Sequence, residues 1–269
     1  MDISAFPPFD RRPRRMRRNF GPLLKMMFQA VEREKENGVK CVQVGAHDGR
    51  MADPLFLELV KGAWEAILIE PHPVYFAELQ RRHANNAKIQ CLNVGVSDEP
   101  GTMKLFHINE DVAKGYPRGL RGCASLELER LEAAITSAET RHNLVRVDGD
   151  VTATDVSLFR LDAILSDQNW SDVDVIVIDV EGHELKVLNS FDLSAVKPSL
   201  LIVECNGANL VEEDEYVAVL QQLDFTVFRM DHDLVALPKD RVAIPLSQMM
   251  SWLGMQAFPD ATTAEAGED

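Results

Sequence analysis

The sequence predicts an α/β fold, a doubly wound and mostly parallel sheet with helices on both faces. Three observations predict it. Short apolar runs bounded by glycine, proline or acidic residues recur at Val39–Val44, Trp64–Ile69, Ile89–Val96, Val173–Ile178 and Leu200–Val203, as buried strands do. Helix-like segments separate the first three runs, which is the alternation of a parallel sheet. The runs also end in glycine or polar groups, namely Gly45 to Gly49, Glu70, Ser97-Asp98, Asp179-Val180-Glu181 and Glu204-Cys205-Asn206. In a parallel sheet these ends share one edge, where ligands bind.

Each element has its local reason. In Pro22–Asn37, the residues Leu23, Met26, Met27, Ala30 and Val31 fall on one helical face, and Gly38 supplies a stop. After the first strand, Asp53-Pro54 fits an N-cap and first helical position for a helix running to Lys61. Val74–Ala84 reads as the next helix. The rhythm then breaks. Thr102–Ile108 alternates like an exposed strand, Asn109–Gly122 is a loop rich in glycine and charge, and Leu126–Ala138 is amphipathic. Asn143–Leu158 is mixed and strand-like. Residues 109–154 are therefore expected to be a lid-like insertion over the carboxyl edge of the sheet. The strand ending at Asp179 turns through Glu181-Gly182-His183 into a helix reaching Leu188. Tyr216–Leu223 reads as helix, Phe225–Phe228 with Leu234–Leu237 as an antiparallel hairpin, and Ile244–Phe258 as a packing helix. The expected organisation is a basic arm and helix over 1–38, one domain over 39–260, and a disordered acidic tail over 261–269.

The charge balance narrows the partners. A net charge of −15 comes from 28 basic and 43 acidic residues, and six of the arginines crowd between Arg11 and Arg18. The remaining body is more acidic still, which argues against extended nucleic-acid binding. The arginine-rich arm is expected to be solvated or packed on the protein's own acidic face, with contact to an acidic surface or a second subunit as the alternative. No apolar run approaches the length of a membrane span. The N-terminus lacks a secretory signal, and Cys41, Cys91, Cys123 and Cys205 lack metal-ligand spacing. Free thiols in a cytoplasmic protein are the expectation.

The strand ends carry the chemistry. Val42 to Gly49 is a strand feeding a glycine turn and then a helix start, which places bare backbone N–H groups against a ligand. Glu70, at the second strand end, can accept both hydroxyls of a ribose. A dinucleotide site wants Gly-x-Gly-x-x-Gly, whereas this turn is Gly45-x-x-x-Gly49 with His47 and Asp48 inside it, leaving less room for a diphosphate. S-adenosylmethionine carries no phosphate, and an acidic edge suits its sulfonium and ammonium. Asp179, Glu181, Glu204 and Asn206 could instead gather a Mg²⁺ ion, though carboxylates serving a cofactor are preferred, so no metal ligand is assigned. His47 and His72 are candidates to line the pocket.

The sequence resembles the FkbM-type methyltransferases, a class I group dependent on S-adenosylmethionine. The resemblance rests on Val-Gly-Ala-His-Asp-Gly (44–49), Ile-Glu-Pro-His-Pro (69–73), Asn-Val-Gly-Val-Ser-Asp (93–98) with Gly101, Phe-Arg-Leu-Asp (159–162), Ile-Asp-Val-Glu-Gly-His-Glu-Leu (178–185) and Ile-Val-Glu (202–204). It implies a Rossmann-like sheet of seven strands, the last antiparallel. It implies that Gly45, Ala46, His47 and Gly49 hold the methionine part and that Glu70 and Pro71 meet the ribose. Val96 and Ser97 would frame the adenine, and Asp179 would face the amino group or the acceptor. Gln43 stands where an acidic residue is common, and a glutamine cannot neutralise an ammonium.

Methyl transfer is an in-line displacement at the sulfonium methyl, so the enzyme aligns the acceptor and a base takes its proton. His183 is the candidate base, helped by Asp179 or Glu181. The expected reaction is methylation of a small molecule, at a hydroxyl oxygen of a sugar or natural product. An NAD-dependent oxidoreductase and a non-catalytic partner-binding module on the same fold are the alternatives.

Overall fold

The computed structural model describes residues 20–51, 53–205, 210–230, 232–240 and 256–257. The fold is α/β, with a mostly parallel sheet and antiparallel last strands. Two compact units make up the chain, one from residues 37–204 and the other from residues 1–36 with 205–269.

The second of these units opens with α1 (Phe20–Glu34), whose Leu23, Met27, Phe28 and Val31 are buried at the spacing of one helical face. The helix starts two residues earlier and ends three earlier than expected. The arm at Arg11–Arg18 lies outside the described residues, as does the tail.

In the unit of residues 37–204, β1 (Lys40–Val44) leads through α2 (Phe56–Val60) to β2 (Glu65–Ile69), then through α3 (Pro73–His83) to β3 (Ile89–Leu92). Asp53 does not cap α2 directly. It accepts the Leu55 N–H at 2.8 Å and so closes the turn before the helix. The run Ile89–Val96 is not one strand. β3 ends at Leu92, and β4 (Gly95–Val96) leaves it to pair with Leu158 and Phe159, 63 residues further on.

β5 (Gly101–Ile108) is followed by a single 3₁₀ turn at Ala113–Gly115, then α4 (Arg118–Arg121), α5 (Leu128–His142) and β6 (Val151–Phe159). β6 lies between β4, parallel to it, and β5, antiparallel over an eight-residue ladder from Gly101↔Leu158 to Ile108↔Val151. The segment read as a loop before Gly122 therefore contains helical turns. Its apolar residues explain why: Ala113, Tyr116 and Leu120 pack with Leu131, Ile135 and Ala138 of α5 in a small core of their own. Arg146 ties the returning chain to this core through Glu132 and Asp150, and the Tyr116 hydroxyl donates to Asp150 at 2.6 Å.

α6 (Leu161–Asp167), not anticipated, precedes β7 (Val175–Ile178). α7 (Glu184–Leu188) and the short α8 (Leu193–Val196) precede β8 (Leu200–Glu204). The five strands of this unit's main sheet lie in the order β8-β7-β1-β2-β3, all parallel. Apart from the part-exposed edge strand β3, they are nearly all apolar and buried, as strands covered on both faces must be. From β1 the chain winds outward in one direction to β3, and from β7 in the other to β8. The carboxyl ends of β1 and β7 therefore form the switch point at which such sheets bind ligands.

In the unit of residues 1–36 and 205–269, α9 (Leu210–Gln222) is followed by the antiparallel pair β9 (Phe225–Met230) and β10 (Asp233–Pro238). The hairpin thus appears where the alternation anticipated it. The helix expected over Ile244–Phe258 lies outside the described residues except at Gln256–Ala257. Those two residues form β11, paired antiparallel with β9. Among the described residues no helix is long and apolar enough to cross a membrane.

Candidate active site

A cavity of about 540 Å³ lies within the unit of residues 37–204, against the carboxyl ends of β1, β2, β7 and β8. Its floor is set by a close crossing of backbones. Gly45 has φ +85°, and a Cβ built there would lie 1.7 Å from the Asp179 carbonyl oxygen. Only glycine combines that conformation with that approach. Its N–H and that of Ala46 both reach the Ile69 carbonyl at 2.9 Å, which joins the turn to β2.

Glu70 closes the turn from the other side. One carboxylate oxygen accepts the His47 N–H and the other the His72 N–H, each at 2.7 Å. This ties together the loops after β1 and β2, so the carboxylate has a structural duty besides facing the cavity. Burial raises its pKa to about 7, against the pull of those two N–H groups.

The loop after β7 is built by its own sequence. Glu181 (φ +54°) and Gly182 (φ +111°) make a left-handed turn, and the Glu184 carboxylate reaches back to the N–H groups of Val180 and Gly182 at 3.1 Å. That turn brings one oxygen each of Asp179, Glu181 and Glu204 within 4.8 Å of one another on the cavity wall. Burial raises the pKa of all three, and each of Glu181 and Glu204 is raised further by the neighbouring charges. Asp179 keeps an exposed face toward the cavity even though protein surrounds it. The trio could hold a cation of either kind, an ammonium or a divalent ion.

Gly45, Ala46, His47, Glu70, Pro71, Val96, Asp179, Glu181 and His183 all line the cavity. Three of the expected contacts, Gly49, Ser97 and His72, do not. Gly49 (φ +68°) closes the turn away from it, with Leu79 of α3 2.6 Å from where a Cβ would stand. Ser97 lies behind His183, its hydroxyl 3.0 Å from Nε2 and 3.1 Å from the Asp98 carboxylate. When Ser97 donates to Asp98, His183 donates through Nε2 and retains a lone pair on Nδ1. Burial lowers the His183 pKa, so the ring is a neutral base at neutral pH. His47 stacks on Tyr75 of α3 with ring centres 3.7 Å apart, and His72 packs on the same ring at 4.5 Å.

Several lining residues escaped the sequence reading. Asp53 lies beside Gln43, and burial raises its pKa to about 6. A carboxylate thus stands beside Gln43 after all, supplied ten residues later in the chain. Arg50, Arg118, Gly119 and Gly122 also face the cavity, the last three from the segment around α4. Ser125, just beyond, donates its hydroxyl to the Glu181 carbonyl at 2.8 Å. The one available hint was the clustering of arginine and glycine in residues 115–122.

A doubly wound sheet with a carboxylate-lined cavity at its switch point defines an α/β protein with a ligand site at the usual place for its class. Residues 43–230, well over half of the chain, match the family model of the methyltransferase FkbM domain, and the chain belongs to the FkbM methyltransferase family. Similar solved structures include the methyltransferase FkbM of Methylobacillus flagellatus KT, 17% identical over 82% of this chain, with a TM-score of 0.44. This chain spans 59% of that protein. The precorrin-6y C5,15-methyltransferase of Geobacter metallireducens GS-15 is 8% identical over 80% of this chain and 86% of its own, at TM-score 0.38. TrmK of M. capricolum, solved with S-adenosylhomocysteine, is 9% identical over 79% of this chain and 66% of its own, at 0.36. No curated protein matches the sequence.

Proposed function

We propose that the protein transfers the methyl group of S-adenosylmethionine to a hydroxyl oxygen of a small-molecule acceptor such as a sugar or natural product. The observation that carries the reading is the cavity wall itself, bare backbone at Gly45 and Ala46 beside Asp53, Glu70, Asp179, Glu181 and Glu204. Such a wall attracts a sulfonium and an ammonium and repels a pyrophosphate, which disfavours a dinucleotide cofactor. In this reading the turn after β1 holds the methionine part, Glu70 and Pro71 the ribose, and Val96 the adenine. Asp179 faces the ammonium. His183 accepts the hydroxyl proton as the oxygen attacks the methyl carbon in line with the departing sulfur. The acceptor enters past Arg118 and Gly119, and free cysteines suit a cytoplasmic setting.

The direct test is thermal. At a hundredfold excess over Kd, S-adenosylhomocysteine stabilises by about 2.7 kcal/mol, a rise of roughly 5–10 °C in melting temperature for a protein of this size. NAD is expected to give no shift. A shift with NAD and none with S-adenosylhomocysteine would overturn the reading.

A second expectation follows from the carboxylates. Glu70, Asp179, Glu181 and Glu204 are all raised in the folded protein. The folded chain therefore holds more protons than the unfolded one above the ordinary carboxylate range of about 4. The stability that Glu70 and Glu181 contribute below that range is lost as pH rises through about 7, while that of Glu204 persists toward about 11. The ligand-free protein should thus melt lower at pH 8 than at pH 6. A bound cation favours the ionised carboxylates, so S-adenosylmethionine should bind more tightly at pH 8 and release protons. Titration calorimetry at pH 7 in two buffers of different ionisation heat reads that release. Buffer-independent heats would remove the carboxylates from the cation's neighbourhood.

A further inference from the structure

A second polar cluster lies outside the roles assigned above. His72 follows Pro71 at the start of α3, His107 is on β5, and Glu110 opens the segment between β5 and β6. One ligand-type atom of each lies within 4.8 Å of the others. His72 is 1% exposed, and neither of its ring nitrogens has a hydrogen-bond partner among the described residues. A buried imidazole with two unsatisfied nitrogens costs free energy that packing alone does not explain, since each could be paired or replaced. Its Nε2 lies 3.6 Å from Glu110 Oε1, too far for a hydrogen bond. That separation fits two ligands of one tetrahedral ion, each about 2.1 Å from the metal.

His107 is held as metal-bound histidines usually are. Its Nδ1 is 3.0 Å from the Ile108 carbonyl, which can only accept, so that nitrogen carries the proton. Nε2 keeps the lone pair, which faces the Thr154 hydroxyl at 3.1 Å; an ion would take that lone pair in place of the hydroxyl. The two imidazoles meet edge to face, ring centres 4.2 Å apart. Glu110 is 43% exposed, which gives an ion a route in and leaves a fourth position for water.

We propose that His72, His107 and Glu110 form a binding site for a borderline divalent transition-metal ion, zinc in the first instance. Two imidazoles and one carboxylate suit zinc and not magnesium, which prefers oxygen ligands. A bound ion would fasten Glu110, at the root of the inserted segment, to the loop that carries Glu70 and Pro71. Its role is thus to position the insertion relative to the cavity. The inference does not depend on the methyl-transfer reading.

The test uses the full-length protein, freed of metal by a chelator and titrated with zinc against a chromophoric competitor at pH 7.5. One tight equivalent is expected. Glu110→Ala, at an exposed position that leaves the fold intact, should weaken it at least tenfold, and His107→Gln should weaken it further. Glu181→Gln, in the carboxylate trio, should leave it unchanged. Absence of saturable binding overturns the site, as does binding that survives both Glu110→Ala and His107→Gln. Binding that responds to Glu181→Gln instead would place the ion in the trio and equally overturn it.

Discussion

Gly45→Ala should cost more than about 4 kcal/mol of stability, a fall of roughly 10 °C or more in melting temperature. Two effects add. An alanine at φ +85° is strained by about 1–3 kcal/mol, and its methyl would stand 1.7 Å from the Asp179 carbonyl oxygen. That oxygen is backbone held by neighbouring strands, since Asp179 N–H donates to the Val44 carbonyl at 2.9 Å, so it cannot swing aside. The natural control is Gly62, which has φ +74° and nothing within 4 Å of its added methyl. Gly62→Ala should show the strain alone, about 1 kcal/mol. Calorimetric melting of both variants separates the contributions. Equal losses would mean that the two backbones at the head of β1 and β7 are not in contact.

Glu70 should give the largest loss of cofactor affinity. Its oxygens already take the N–H groups of His47 and His72 at 2.7 Å. Glu70→Ala leaves two buried donors unpaired, at about 1–3 kcal/mol each, so a stability loss accompanies the loss of binding. Losing the two proposed ribose hydrogen bonds as well should weaken S-adenosylhomocysteine by at least a hundredfold, at about 1.5–3 kcal/mol for each bond to a charged group. Glu70→Gln keeps the volume, yet presents one amide NH₂ where an acceptor is needed. To separate the loop-holding duty from ribose recognition, adenosine and 2′-deoxyadenosine are compared on wild type and Glu70→Gln. A preference for adenosine that vanishes in the variant assigns the ribose to Glu70. A preference that persists leaves it only the loops.

Much of this framework could be read from the chain alone, because a strand buried on both faces writes itself locally. Val175 to Ile178 and Leu200 to Val203 need no partner to be recognised. The terminal hairpin was equally legible from its two apolar runs. What escaped depends on distant partners. Whether Gly95-Val96 continues β3 or departs to β6 is decided by pairing with Leu158 and Phe159, which no short window contains. Asp53 had an adequate local meaning as a helix cap, and its second meaning arises only when β1 brings Gln43 beside it. The helical turns around Arg118 are stabilised by burial against α5, so their composition alone reads as loop.

The eight-residue ladder between β5 and β6 has an evolutionary corollary. What hangs from it buries Tyr116, Leu120, Leu131 and Ile135 chiefly in one another. Such a self-contained appendage can be exchanged or rewritten while the parallel strands keep their own neighbours. Changes in residues 109–150 would therefore rewrite the cavity wall at Arg118, Gly119 and Gly122, while the strand tips at Gly45, Glu70 and Asp179 keep their own partners.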